Sequence, residues 1–452
     1  MAIVVDNFST EKRSFTFFLP AILGTILEYY DYALYGFCSA KLAVHFFRED
    51  DPTVALLKFF GVFIAGSCAK PLGALIFGYI GDQFGRSPAL KMSLFGIIVP
   101  TLVVGLLPGY DDIGWLAPLL LLLCRITQGM LVSGEYEGVR IFMFEFLGKE
   151  NPHFVNSLSN FASYLGIYFA SVAVMLTTSQ DLPDWIWRLP FIVGGVLGIF
   201  IVWVRRHYLQ ETPEYVRYRA RNPKREINSW ISILKRNKRT CLAAILLYGT
   251  AGGGYHFYFV FFGNYLQSSL GFVESAQSAF NVSISILIYS VCGPLAGWLC
   301  DRYGPFLIAK IAFYSLLPLI ALNIYMLAQS VMPFWLMGLT AGTLAFFHVP
   351  GAVTLLQKFE VSIRFRCSSL SHALGSMLFS GTAPLMSLWI WRTTNIEIAP
   401  LFYFGLLCLL GFFAIREILN TNATQLLDSR TRGNDVDGFK ATECINQLTD
   451  IK

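Results

Sequence analysis

The chain has 452 residues, 55% of them hydrophobic and only 14% charged, with a mean hydropathy of +0.55. Soluble proteins carry about 25% charged residues, so this composition excludes an ordinary soluble enzyme or regulator. The net charge of +5 sits in short loops between apolar stretches, where it reports membrane topology and not a nucleic-acid partner.

In chain order, a short polar start precedes a first apolar run that is too long, and too acidic around Glu28 and Asp31, for a cleaved leader. Apolar stretches occupy residues 15–40, 54–80, 88–108, 115–142, 154–178 and 187–207, then 240–266, 275–299, 305–328, 332–358, 367–391 and 398–419. About 20 residues at a 1.5 Å rise cross a hydrocarbon core of about 30 Å, and lipid offers no partner for open backbone, so such spans are helical. The expected fold is an all-α membrane protein with twelve transmembrane helices in two six-helix bundles, residues 1–207 and 240–419. Between them residues 208–239 form a basic linker able to rest on anionic lipid. Residues 420–452 form a polar tail, expected to be disordered and cytoplasmic.

Lys and Arg crowd one set of loops, which holds Lys12, Arg13, Arg86, Lys91, Lys149, the run from Arg205 to Arg239, Arg302, Lys310, Lys358, Arg364 and Arg366. The positive-inside tendency assigns these loops and both termini to the cytoplasm. A weak internal repeat supports two halves: GDQFGRSPAL at 81–90 recurs as CDRYGPFLIA at 300–309, pairing Asp82 with Asp301 and Gly85 with Gly304. Parallel repeats of this kind mark rocking transporters. The nine cysteines show no metal-type pairing and read as small core hydrophobes.

A charge at the bilayer centre costs about 2.5–3.5 kcal/mol on insertion scales, so Glu28, Asp31, Lys70, Arg125, Glu135 and Glu137 each need a reason to be there. Glu28, Asp31, Tyr32 and Tyr35 share one face of the first span; Arg125, Gln128, Val132 and Glu135 share one face of the fourth. Helical rise brings Asp31 and Arg125 to neighbouring depths, and an ion pair between them that protonation of Asp31 would break is expected. In the seventh span Gly252, Gly253 and Gly254 let the helix bend or unwind, with Tyr255, Tyr258 and Phe262 on one face. His256, His348 and His372 are weaker candidates.

At these residues the chain resembles the major facilitator superfamily, and within it the metabolite:proton symporters, which include carriers of ketoglutarate, citrate, shikimate and proline or betaine. The similar stretches are ILEYYDYALYGF at 26–37, AKPLGALIFGYIGDQFGRSPAL at 69–90, LLCRITQGMLVSGEYEG at 122–138, WRLPFIVGGVLGIFIVWVRRHYLQETPEY at 187–215 and SGTAPL at 380–385. The resemblance implies alternating access, with Asp31 as proton-coupling acid and Arg125 as its basic partner. It also implies a cytoplasmic gate of Asp82, Gly85, Arg86 and Glu145, with Asp301, Glu360 and Arg364 as second-half counterparts. The chain departs from the family where Lys70 replaces an Arg before Pro-Leu-Gly, where Ser87 follows Arg86, where Glu360 to Arg364 replace a Pro-Thr-Arg-x-Arg run, and at Ala373, where the family has Asn.

The function expected is proton-coupled import of a small polar organic solute through a bacterial cytoplasmic membrane. Lys70 and Arg125 suit a carboxylate, beside Tyr32, Tyr35, Gln128, Tyr255 and Tyr258; Glu28 and Glu135 suit the cationic group of a zwitterion. The partners are solute, protons and membrane lipid, with the chain acting as a monomer. No catalytic triad, metal cluster or phosphate loop appears, so neither an enzyme nor a cofactor is expected. An exporter is the first alternative, disfavoured because the fifth span has a single Gly and no Pro; a non-transporting membrane sensor is the second.

Overall fold

The structure, a computed structural model, describes residues 18–48, 52–148, 150–177, 183–222, 229–263, 265–266 and 275–431. Residues 432–452 of the tail lie outside them. The described chain is helical, without strands. The first half comprises α1 (Leu19–Phe37), α2 (Ser39–Phe46), α3 (Pro52–Gln83), α4 (Arg86–Leu106), the short α5 (Tyr110–Ile113), α6 (Leu116–Leu147), α7 (Pro152–Thr177) and α8 (Leu189–Tyr208). The linker carries α9 (Pro213–Arg221) and α10 (Trp230–Arg236). The second half comprises α11 (Lys238–Tyr255), α12 (Ser275–Tyr303), α13 (Pro305–Ala328), α14 (Phe334–Lys358), α15 (Arg364–Gly375), α16 (Ala383–Thr394) and α17 (Ala399–Thr431). The last helix thus runs 12 residues, 420–431, past the span expected to end at 419.

Among the described residues, 10 helical stretches are long and apolar enough to cross a membrane. The two rods outside that set, α1 and α11, open the two halves; polar groups dilute the apolar character of both. The glycine triplet does not break α11, which runs through Gly252–Gly254 and then widens into a π-helical stretch over His256–Phe262. A second π-helical stretch, Ser376–Ser380, joins α15 towards α16.

The repeat seen in sequence has a backbone basis. Gly85 and Gly304 hold φ of +118° and +93° immediately before α4 and α13, a region that strains any residue with a Cβ. Within the first half α3 and α6 cross at backbone contact: a Cβ on Gly73 would stand 1.8 Å from Met130 O, and one on Gly129 1.9 Å from Gly66 O. In lipid, packing of this kind holds helices together where water cannot.

The halves meet in two equivalent seams, α3 against α15 and α12 against α7. Glycines allow both: a Cβ on Gly81 would strike the Phe365 ring at 2.2 Å, and one on Gly297 would approach His153 O at 2.6 Å. Both seams lie towards the face that carries the 81–90 and 300–309 loops and the linker, called the basic face below.

Candidate functional site

A cavity of ≈ 20 Å³ lies between α1, α3 and α6, lined by Asp31, Tyr32, Phe63, Gly66, Ser67, Lys70, Arg125, Gln128, Gly129 and Val132. That volume holds about one water, so a solute reaching Arg125 must widen it. Asp31 is buried, its Oδ1 accepting from Thr101 Oγ1 at 2.8 Å and its Oδ2 from Gln128 Nε2 at 2.8 Å. The carbonyl of Gln128 accepts from Arg125 Nη1 at 2.9 Å. This corrects the expected direct Asp31 to Arg125 pair: Gln128 stands between them, because one amide offers a donor to the acid and an acceptor to the base.

Arg125 lies over the Tyr35 ring, 3.8 Å from Cζ to centroid, and its buried Nε has no hydrogen-bond partner. Tyr35 is stacked on Phe59 at 4.2 Å and is 1% exposed. It therefore backs Arg125 instead of facing a solute, a second correction. Lys70 Nζ stands 5.5 Å from the Tyr32 ring centroid. Two cations, one acid and one amide thus share the cavity wall, and the acid is the group whose oxygens are both taken.

Neither Glu28 nor Glu135 lines this cavity, contrary to expectation. Glu135 is fully buried; both its oxygens accept from the Arg205 guanidinium, Oε2 from Nη1 at 2.8 Å, and Oε2 also from Ser93 Oγ at 2.8 Å. The other donors of Arg205 reach Pro20 O, Leu90 O and Ala21 O at 2.9, 2.9 and 3.1 Å. Its head passes over Gly24, where a Cβ would stand 1.8 Å from Nη2. Beside Arg206 it looks like loop charge in sequence, yet it locks α1, α4, α6 and α8 together. Arg205→Ala leaves Glu135 buried without a counter-ion, and an expected cost of about 3–5 kcal/mol should appear as lower yield and a lower Tm. A wild-type melting curve would contradict that role. Glu28, 2% exposed, has no partner on either oxygen.

Beneath the cavity, towards the basic face, the halves share a polar layer. Glu137 of α6 accepts from Arg140 Nη1 at 2.8 Å, and across the seam from Ser368 Oγ at 2.6 Å and Tyr248 OH at 3.3 Å. His372 packs on Tyr136 at 4.6 Å with the rings tilted by 38°, and Tyr164 meets Tyr289 at 4.9 Å and Tyr255 at 5.4 Å. Tyr255 therefore sits at the seam. Tyr258 does not: its hydroxyl donates to Met337 O at 3.3 Å within the second half, and its ring stacks on Phe262. The π register after Tyr255 breaks the 3.6-residue spacing on which a shared face was argued.

The basic face is closed by two matching devices. Asp82 Oδ1 accepts from Phe365 N–H at 3.1 Å, and Oδ2 from Arg366 N–H at 3.0 Å and Arg366 Nε at 3.1 Å. Asp301 Oδ1 accepts from His153 N–H at 3.0 Å and Oδ2 from Phe154 N–H at 2.8 Å, with His153 Nδ1 2.8 Å from Oδ1. The two acids of the repeat thus each cap the N-terminus of a helix in the opposite half, where free N–H groups and the helix dipole favour a carboxylate. Alongside, Glu145 accepts from Arg86 Nη2 at 2.9 Å, Arg364 Nη1 at 2.8 Å and Thr212 Oγ1 at 2.6 Å.

The linker belongs to this closure, which the sequence reading did not foresee. Glu214 pairs with Arg364 at 3.1 Å, Tyr215 lies under Arg86 at 4.8 Å, and Glu211 accepts from the N–H groups of Arg86 and Ser87 at 3.0 and 3.2 Å. Burial raises the Glu211 carboxyl above its ordinary range against those donors. Glu360 is the exception among the expected gate residues: it is exposed, with Ser362 Oγ at 3.5 Å, because the 359–363 turn directs it to water, and Arg366 takes the cross-half role instead.

The sequence profile of the Major Facilitator Superfamily matches residues 14–359. The proline/betaine transporter of Salmonella typhimurium is 30% identical over 410 residues, covering 86% of this chain and 80% of that protein. The glycine betaine/proline/ectoine/pipecolic acid transporter OusA of Dickeya dadantii is 30% identical over 410 residues, with the same coverage. Among solved structures, the proton:xylose symporter XylE aligns with a TM-score of 0.70 at 15% identity, covering 90% of this chain and 95% of that one; the human organic anion transporter MFSD10 aligns at 0.65 and 16%, covering 90% and 100%. These likenesses and the two six-helix halves make the protein a multi-pass membrane transporter of small solutes and not an enzyme. The chain belongs to the major facilitator superfamily, in its metabolite:proton symporter branch.

Proposed function

We propose that the protein imports a small carboxylate-bearing solute together with protons across a bacterial cytoplasmic membrane, by alternating access, with the basic face and both termini in the cytoplasm. The observation that carries this reading is the state of the donors at the cavity. Arg125 keeps a buried Nε unbonded, and Lys70 Nζ lies 5.5 Å from the Tyr32 ring centroid with no hydrogen bond among the described residues. Asp31, the acid beside them, has both oxygens occupied. Spare donors on two cations suit an anionic group, most of all a carboxylate. The similar carriers of proline and betaine favour a zwitterion, whose carboxylate would meet Arg125 and Lys70.

Gln128 gives a route for coupling. A proton on Asp31 Oδ2 turns that oxygen from acceptor to donor, and Gln128 then turns its carbonyl to Asp31 and its NH2 to Arg125. Arg125 then loses its acceptor and takes the solute carboxylate in its place. Release follows when the Asp82, Glu145 and Asp301 closures open towards the cytoplasm, which the crowding of Lys and Arg on that face supports.

Lys70 tests the solute assignment. Lys70→Gln should weaken binding of an anionic solute by about 1.5–3 kcal/mol, the worth of a charge-assisted hydrogen bond. Lys70→Arg should keep the charge and reorder preference, because a planar fork favours bidentate carboxylates. Competition binding with mono-, di- and tricarboxylates and with betaine-type zwitterions reads both effects; an unchanged ranking in the two variants would remove Lys70 from the site.

A further inference from the structure

Glu28 has no part in the cycle described so far. It lies on α1 one turn nearer the basic face than Asp31, buried to 2% exposure, with neither carboxyl oxygen hydrogen-bonded. The charged groups that act on it come from every side of the bundle: Glu135 on α6, Arg205 on α8, Lys70 on α3 and Asp31 on its own helix. The Tyr29 and Tyr136 phenols stand beside it, and α7 adds the Ser163 hydroxyl against Tyr29.

None of these groups is hydrogen-bonded to Glu28 in this structure. Arg205 has spent its donors on Glu135 and three backbone carbonyls, and Asp31 is held by Thr101 and Gln128. Glu135 and Asp31 stand near it as well as Arg205 and Lys70, but an ionised Glu28 would still be a charge without a hydrogen bond in a membrane interior; a carboxyl so placed takes up a proton instead. What seals it from the basic face is cross-half packing, since its neighbour Tyr136 is covered by His372 of α15. Separation of α15 from α6 uncovers that side to water.

We infer that Glu28 is a second proton carrier of the transport cycle, distinct from Asp31: a carboxylic acid while the basic face is shut, and a carboxylate once that face opens. The proton arrives from water at the opposite face, resides on a Glu28 oxygen, and leaves to water at the basic face, with no other bond made or broken. The inference rests on the proton-coupled reading above.

Two measurements on wild type and Glu28→Gln test it. In the infrared spectrum of purified protein, the substitution should remove a protonated-carboxyl C=O band. In proteoliposomes, the proton-to-solute ratio obtained from equilibrium accumulation should fall by one. An unchanged infrared spectrum overturns the inference whatever transport shows. A lost band with an unchanged ratio also overturns it, because Glu28 would then be a permanently neutral structural acid. Gln is a neutral isostere of the protonated group, so a Glu28→Gln protein that fails to fold counts against it as well. Wild-type transport indifferent to protons, with the band lost, places the fault in the coupled reading and takes the carrier role down with it.

Discussion

Arg125→Ala is expected to lose measurable solute binding while the bundle stays folded. The guanidinium bonds to Gln128 and rests on Tyr35 and holds no direct ion pair with Asp31, which keeps its bonds to Thr101 and Gln128 when Arg125 is removed. What goes is the cation that would receive the carboxylate, worth about 1.5–3 kcal/mol for one charge-assisted bond and more for two. Affinity should fall at least about 10-fold, with uptake falling alongside. Solute-dependent thermal stabilisation of purified protein reads the loss directly. Wild-type stabilisation in a well-folded Arg125→Ala protein would remove Arg125 from the site.

Asp31→Asn is expected to abolish proton-driven accumulation and to leave solute exchange running. Asn keeps one acceptor for Thr101 and offers Gln128 an amide, so the hydrogen-bonded chain persists in a fixed state at a structural cost of about 1 kcal/mol. The titratable step is lost. Counterflow between preloaded proteoliposomes and labelled external solute should remain, while accumulation under an imposed pH gradient should vanish. Full gradient-driven accumulation by the variant would show that Asp31 is not the coupling acid.

Much of this architecture was legible in the sequence, because apolar length reports helices in lipid more reliably than any propensity. The 81–90 repeat was weaker in sequence, yet its Asp and Gly at matching places proved to be a helix cap and a positive-φ turn in both halves. Helical spacing also placed Asp31, Arg125 and Gln128 near one another. It could not say which of them bond, since a Gln side chain has both a donor and an acceptor and rotation of α6 by a fraction of a turn decides their partners. Arg205 was misjudged because a charge at a helix end reads as loop, and only the bare backbone at Gly24 reveals the slot it fills; Glu135 shares the Arg125 face of its helix but is taken by Arg205. The roles of Glu214 and Arg366 depend on how the two halves meet, and that of Glu211 on how the linker folds back on α4, which no local pattern encodes. Tyr258 was misplaced by a π register that spacing rules for α-helices do not contain.

The central claim, a proton-coupled carrier of a small carboxylate-bearing solute, is tested most directly by uptake of labelled betaine or proline into proteoliposomes with an imposed inward proton gradient. The account predicts accumulation above the external concentration that collapses when a protonophore is added, and that unlabelled carboxylate-bearing solutes compete away. Uptake that only equilibrates, with or without the gradient, or that competing carboxylates leave untouched, would contradict it.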